Sequence, residues 1–191
     1  MNKIKIWFLR IYALKPILSV KAIFFTFILF LIICTNCNGK LASDQENAIA
    51  ENVVIDSILV KKSERKMILF SKQKEIKTYQ IALGKNSIGK KQFEGDYKTT
   101  EGLYFIDDKS ATSKFHKNLN ISYPNKEDIK YAAAQNKSAG DDIKIHGLPN
   151  DYKEENYKLY DWTWGCIALT NIEIDELYKH IRLGSPILIL P

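Results

Sequence analysis

Ile76-Lys77-Thr78-Tyr79-Gln80-Ile81 decides the fold class. Apolar and polar side chains alternate there at the two-residue period of a strand with one buried face. Upstream, Ile58–Val60 and Met67–Phe70 are short apolar runs, separated by the charged stretch Lys61-Lys62-Ser63-Glu64-Arg65-Lys66 that reads as a hairpin turn. Downstream, Gly84, Gly89, Gly95 and Gly102 punctuate a loop-rich stretch that ends in a strand over Leu103–Ile106. Asp128–Asn136 predicts a helix, and Ile143–His146, Cys166–Leu169 and Pro186–Leu190 predict short strands. Thr170 and Glu173 form a capping box that opens a helix running to about Ile181, with Gly184 as its stop. Many short strands and few short helices predict a mostly-β single domain over 57–191, sandwich-like or a closed sheet. A polar linker over 38–56, with a short helical piece, is expected ahead of it.

The charge distribution separates the first residues from the rest. The chain of 191 residues has a net charge of +6, yet five of its 28 Lys and Arg (Lys3, Lys5, Arg10, Lys15, Lys21) precede residue 38, where no Asp or Glu occurs. The remainder holds 23 bases against 22 acids. A body so nearly neutral gives no electrostatic basis for binding a phosphate backbone, so nucleic acid is excluded as the expected partner. Ala22–Cys34 is thirteen residues without a charge, the length of a signal-peptide apolar region and short of the roughly 20 needed to span a bilayer. Residues 1–37 are therefore expected to form an apolar leader helix, a signal peptide or a signal anchor. It would deliver the body to the periplasm or cell envelope, with the inner membrane as partner if it is not cleaved. Cys34 and Cys37 fall at the end of this leader, leaving Cys166 as the one cysteine of the body. A lone cysteine in an oxidising compartment is either buried or chemically employed.

Several chemistries are absent. The sequence has no phosphate-binding glycine loop, no dinucleotide fingerprint, no His-Glu-x-x-His and no Gly-x-Ser-x-Gly. Its three histidines (His116, His146, His180) lack a surrounding carboxylate cluster, which argues against a catalytic zinc. His180 ends the last expected helix, where a cation meets the helix dipole favourably. What remains is Ile143-Lys144-Ile145-His146-Gly147 and, some twenty residues on, Asp161-Trp162-Thr163-Trp164-Gly165-Cys166-Ile167. Acyl transfer needs a nucleophile, a base and donors for an oxyanion. Cys166 offers a sulfur that becomes strongly nucleophilic as thiolate, and an imidazole within reach can take its proton and lower its pKa as an ion pair. Gly165 permits a sharp turn and leaves backbone N–H groups available to an oxyanion.

These residues carry a resemblance. His146-Gly147 followed by Thr163-Trp164-Gly165-Cys166 resembles the signature of the L,D-transpeptidase catalytic domain (YkuD-type) family. Ala82-Leu83-Gly84-Lys85-Asn86, Gly89-Lys90-Lys91, Gly95-Asp96 and Thr99-Thr100-Glu101-Gly102-Leu103-Tyr104 resemble that family's glycine-rich region, and the likeness runs from about Ser57 to the C-terminus. It implies Cys166 as nucleophile and His146 as its base, with Gly165, Thr163 and Gly147 supporting the oxyanion site and its loop. Tyr123, Trp164 and His116 are the expected substrate-binding residues. No metal and no cofactor are implied. Thr100 stands where the family commonly has Pro, and a looser turn is expected there.

The resemblance further implies a substrate and a reaction. The partners are peptidoglycan stem peptides as donor and acceptor, with a Lys of an envelope protein as a second kind of acceptor. Cys166 would form a thioester with a stem tetrapeptide and pass it to an amine; passage to water would make the same apparatus an L,D-carboxypeptidase. A non-catalytic envelope binding module is the rival from another class. A general secreted cysteine protease is disfavoured, because its Cys would precede its His.

Overall fold

The computed structural model describes residues 48–151 and 160–191; the expected leader, with Cys34 and Cys37, lies outside them. The chain runs β1 (Ser57–Lys61), β2 (Lys66–Ser71), β3 (Lys74–Gln80), β4 (Gly102–Ser113), β5 (His116–Ile121), α1 (Lys126–Ala133), β6 (Lys144–His146), β7 (Ile167–Ala168), α2 (Asn171–His180) and β8 (Pro186–Leu190). The eight strands form one sheet in the order β3-β2-β1-β8-β4-β5-β6-β7, so the fold is mostly β with two helices. Two neighbour pairs are parallel, β1 with β8 and β6 with β7, and the others antiparallel. Beyond β3 the chain reaches the opposite edge: Ala82 and Ala168 exchange N–H···O=C bonds of 3.1 and 2.9 Å.

Alternation decides which face each strand buries. Val60, Met67, Leu69, Ile187 and Ile189 point inward to a core that also takes Ile174 and Leu177 of α2. Ahead of β1, Ile49 and Ile55 are already buried in this core and residues 51–52 form a turn; most of the stretch expected to hold a short helical piece lies outside the described residues. Both helices start with a reciprocal capping box, Thr170 with Glu173 as expected and Asn125 with Asp128. The second box starts α1 at Lys126 and ends it at Ala133, so it begins and ends earlier than its apolar pattern indicates. α2 ends in an extended Ile181, and Gly184 (φ 80°) lies in the turn that follows rather than at the helix end.

The largest departure from expectation is the β4–β5 hairpin. β4 continues seven residues past Ile106, and β5 follows as a further strand in which Leu119 and Ile121 are buried in alternation. The stretch Asp107–Ser113 is exposed or half-exposed on both faces, so no burial pattern marks it. The first part of β4 pairs with β8 and the second with β5, which joins the two halves of the sheet through one long strand.

Two buried polar knots order the glycine-rich stretch between β3 and β4. Lys62 is 2% exposed, and its ammonium donates to Gly89 O (2.7 Å), Thr99 O (3.0 Å) and Glu101 (2.8 Å). Thr100 does not loosen its turn: it is buried and shares a 2.7 Å hydrogen bond with the Tyr104 hydroxyl, which donates to Asp128 at 2.8 Å. Removing one member of a buried ion pair strands the other and costs about 3 kcal/mol or more. Lys62→Ala should therefore lower the unfolding free energy of the full-length chain by about 3 kcal/mol in urea denaturation.

Candidate active site

Strand register brings the cysteine and the histidine together. In the parallel pair β6–β7, Ile145 faces Ile167 and His146 faces Ala168. Ile145 and Ile167 are fully buried in the core. By the two-residue period of a strand, Cys166 then lies on the same face as Ala168 and His146. It sits one pleat repeat from His146's partner, a diagonal of roughly 7–8 Å between backbones that long side chains can close. Both residues line one cleft of about 900 Å³, together with Trp162, Thr163, Trp164 and Asp142.

His146 is 5% exposed, and its Nδ1 lies 2.7 Å from Gly147 O. A carbonyl only accepts, so Nδ1 carries the proton, and in the neutral ring Nε2 is the basic nitrogen. Burial pushes the imidazole pKa down to about 4; the Gly147 carbonyl opposes this and the Lys144 charge adds to it. The Cys166 thiol is pushed up, again by burial first, while the Lys144 backbone N–H and charge work against that rise. Its recorded hydrogen bond goes to Asp142 O at 3.7 Å. Burial thus favours the uncharged form of both groups, the buried imidazole and the half-buried thiol. Such a pair transfers its proton as the sulfur attacks.

The loop before Cys166 is built on two glycines in contact. Gly165 has φ 134°, and a Cβ there would come within 2.7 Å of Lys98 O. A Cβ on Gly84 would lie 2.2 Å from Tyr97 O and 3.1 Å from the Gly165 Cα. Thr163 clasps the turn: its hydroxyl donates to Cys166 O (2.6 Å) and accepts from the Gly165 N–H (3.1 Å). The Gly165 N–H is therefore already used by Thr163. No hydrogen bond among the described residues takes up the N–H of Cys166. Thr163 itself hangs from the segment after β3, through its N–H to Leu83 O (3.1 Å) and the Lys85 N–H to its own carbonyl (3.0 Å). Asp161 holds the approach to this loop by accepting from Arg65 (2.7 Å) and the Leu83 N–H (3.0 Å).

The remaining expected residues divide. Trp164 lies at the cleft mouth, 75% exposed and edge-on to Tyr97 at 6.3 Å. Gly147 does not line the cleft; it permits close packing, since a Cβ there would sit 2.6 Å from the Asn171 side chain and 3.0 Å from His116. Tyr123 is buried in the core and donates to Ala139 O at 2.8 Å, so it supports the cleft wall from behind instead of meeting a ligand. His116 turns away from the cleft and pairs with Asp175 at 2.7 Å. Its neighbours Lys114 and Phe115 line the cleft instead. The turn that carries them follows the exposed end of β4, where no alternation marks the chain.

The geometry has counterparts. Residues 55–189 match the family model of the L,D-transpeptidase catalytic domain (YkuD). The Escherichia coli (strain K12) protein YafK, itself assigned only provisionally as an L,D-transpeptidase, is 28% identical over 130 residues, which are 65% of this chain and 46% of YafK. Among solved structures, Bd1075 of Bdellovibrio bacteriovorus is 27% identical with a TM-score of 0.50, covering 75% of this chain and 50% of that one. The helical cell shape determining protein Pgp2 of Campylobacter jejuni is 24% identical with a TM-score of 0.54, covering 72% and 48%, and shares the fold. The chain spans about half the length of each of these proteins.

Two outcomes test the site. Gly165→Ala should cut turnover at least about a hundredfold while the circular dichroism spectrum stays native, because a nucleophile displaced by about 1 Å loses that much. A base that titrates near 4 remains competent in mild acid. The acid limb of the pH–rate profile should therefore fall near pH 4 and not near the ordinary histidine value of about 6.5.

Proposed function

We propose, because the chain belongs to the L,D-transpeptidase catalytic domain (YkuD) family, that it is a cysteine-dependent acyl transferase acting on peptidoglycan stem peptides. The observation that carries this reading is the placement of Cys166 and His146 on one sheet face, in one cleft.

The Cys166 sulfur attacks the carbonyl carbon of the bond between an L-centre and the terminal D-residue of a stem tetrapeptide. His146 Nε2 takes the thiol proton as the C–S bond forms. The N–H of Cys166 is positioned by its own backbone to donate to the developing oxyanion. The tetrahedral intermediate collapses, the C–N bond breaks, and the imidazolium returns its proton to the departing D-amino acid. A second amine then attacks the thioester and gives a proton to His146, and the thiol leaves with it restored. That amine belongs to another stem peptide, or to a Lys of an envelope protein. The exposed indole of Trp164 flanks the entrance along which this second peptide arrives. Export through the leader would bring the enzyme to this substrate in the envelope.

The test is chemical. Purified full-length protein given tetrapeptide and an acceptor amine should yield a product lacking the terminal D-residue and gaining the acceptor's mass, and Cys166→Ala should yield none. A product showing only added water would make the protein an L,D-carboxypeptidase. Failure of Cys166 to react with any acyl donor would favour a binding module.

A further inference from the structure

Phe115 sits against the candidate base, at the tip of the β4–β5 hairpin, where Lys114 and Phe115 make the turn. Its ring centroid lies 4.5 Å from that of His146 at an interplanar angle of 36°. Trp162 approaches the same imidazole edge-to-face, at 5.7 Å and 65°, and lies 6.2 Å from Phe115. Phe115 and Trp162 thus flank, with the imidazole as the third ring of the cluster, a histidine that solvent barely reaches.

The β4 arm is exposed or half-exposed from Asp107 on, whereas β5 pairs with β6, with Asn118 opposite His146, and further contacts hold the tip. The Phe115 carbonyl accepts the N–H of Gly147, the residue next to the base, at 3.1 Å. The His116 N–H donates to the Asn150 side chain at 3.2 Å, and the His116 ring and Lys117 ammonium reach Asp175 of α2 at 2.7 and 2.8 Å. His116 holds φ 63°, which a non-glycine residue adopts only when its surroundings impose it. The Gly147 bond ties the tip to the end of the strand that carries His146, and the others tie it to Asn150 and to α2.

A catalytic imidazole needs something to hold its tautomer and its ring plane, and in the Ser-His-Asp arrangement a buried carboxylate does so. Among the described residues no carboxylate bonds to His146; a backbone carbonyl fixes the tautomer and leaves the ring plane to packing. We propose that Phe115 is a positioning residue for His146, its ring and that of Trp162 holding the imidazole with Nδ1–H on Gly147 O and its other nitrogen available to the cleft, with water kept from the ring face. This rests on His146 being the base. Offset aromatic contacts of this kind add stabilisation beyond the area they bury, which biases one ring orientation. The titratable groups around the cleft are Lys144 on the histidine's own strand, Lys114 on the hairpin, Asp141 and Asp142 on the facing wall, Glu94 and Lys91 beyond them, and Cys166. Phe115 itself is uncharged, so replacing it changes the hydration of His146 and leaves these charges in place.

The experiment reads the imidazole directly. In the full-length chain, the His146 Cε1–H resonance, assigned by its loss in His146→Gln, is followed against pH. Phe115→Ala should raise the titration midpoint by at least about one pH unit toward the ordinary value near 6.5, and Phe115→Tyr should restore it. The acid limb of Cys166 alkylation by iodoacetamide should move up with it. If Phe115→Ala does not fold, Phe115→Leu carries the same comparison, with a smaller rise expected. An unmoved midpoint overturns the proposal, and so does a loss of turnover with an unmoved midpoint, which would make the hairpin merely structural. No substrate enters the titration, so failure of the wild-type protein to turn over tetrapeptide would reject the proposed function and leave this test standing.

Discussion

The parallel pairing of β6 with β7 is the constraint on which the site depends. Two residues of each strand register Ile145 against Ile167 and His146 against Ala168. With both isoleucines committed to the core, the opposite face of both strands must carry the imidazole and, one pleat away, the thiol. A slip of one residue in either strand would drive His146 or Cys166 into the core and an isoleucine into the cleft. The hydrophobic cost of that exchange is what makes the site reproducible. Two fully buried isoleucines are worth roughly 1.5–3 kcal/mol each.

Around this pairing the chain spends its polar groups on holding backbone. Thr163 closes the turn that ends at Cys166, and Lys62 gathers two carbonyls and a carboxylate of the glycine-rich segment. Asp96 accepts from the backbone N–H groups of Gln92 and Lys98 and from the Lys91 ammonium. Burial alone would raise the Asp96 carboxyl, and these donors hold it below the usual range. The common effect of these polar groups is to bring a glycine of one loop against a glycine of another, Gly84 against Gly165, at a separation that no side chain tolerates.

The same exclusion of water that orders the site sets its electrostatics. Burial moves the thiol and the imidazole in opposite directions, each toward its uncharged form. Both groups are thereby biased toward their neutral forms, a thiol and an imidazole lining one cleft. Charge develops only as a substrate carbonyl arrives, and the aromatic walls that favour the neutral ground state also strengthen whatever hydrogen bonds then form.

The sequence by itself determined a good deal. The alternation at Ile76–Ile81, the apolar runs of β1, β2 and β8 and the capping box at Thr170 were legible because each is a local rule satisfied within a few residues. Cys166, His146, Gly165 and Thr163 were legible as candidates because few other residues could do the chemistry. Only the tertiary structure decided which of the remaining aromatic and imidazole side chains reach the cleft. Tyr123 went to the core because its hydroxyl found Ala139 O, and His116 went to Asp175, while Phe115 and Lys114 took the places expected of them. The physical reason is that β4 beyond Ile106 is wet on both faces, so no hydrophobic pattern leads to the hairpin tip. Its position is set by contacts with residues far along the chain, and such contacts leave no periodic mark in the sequence.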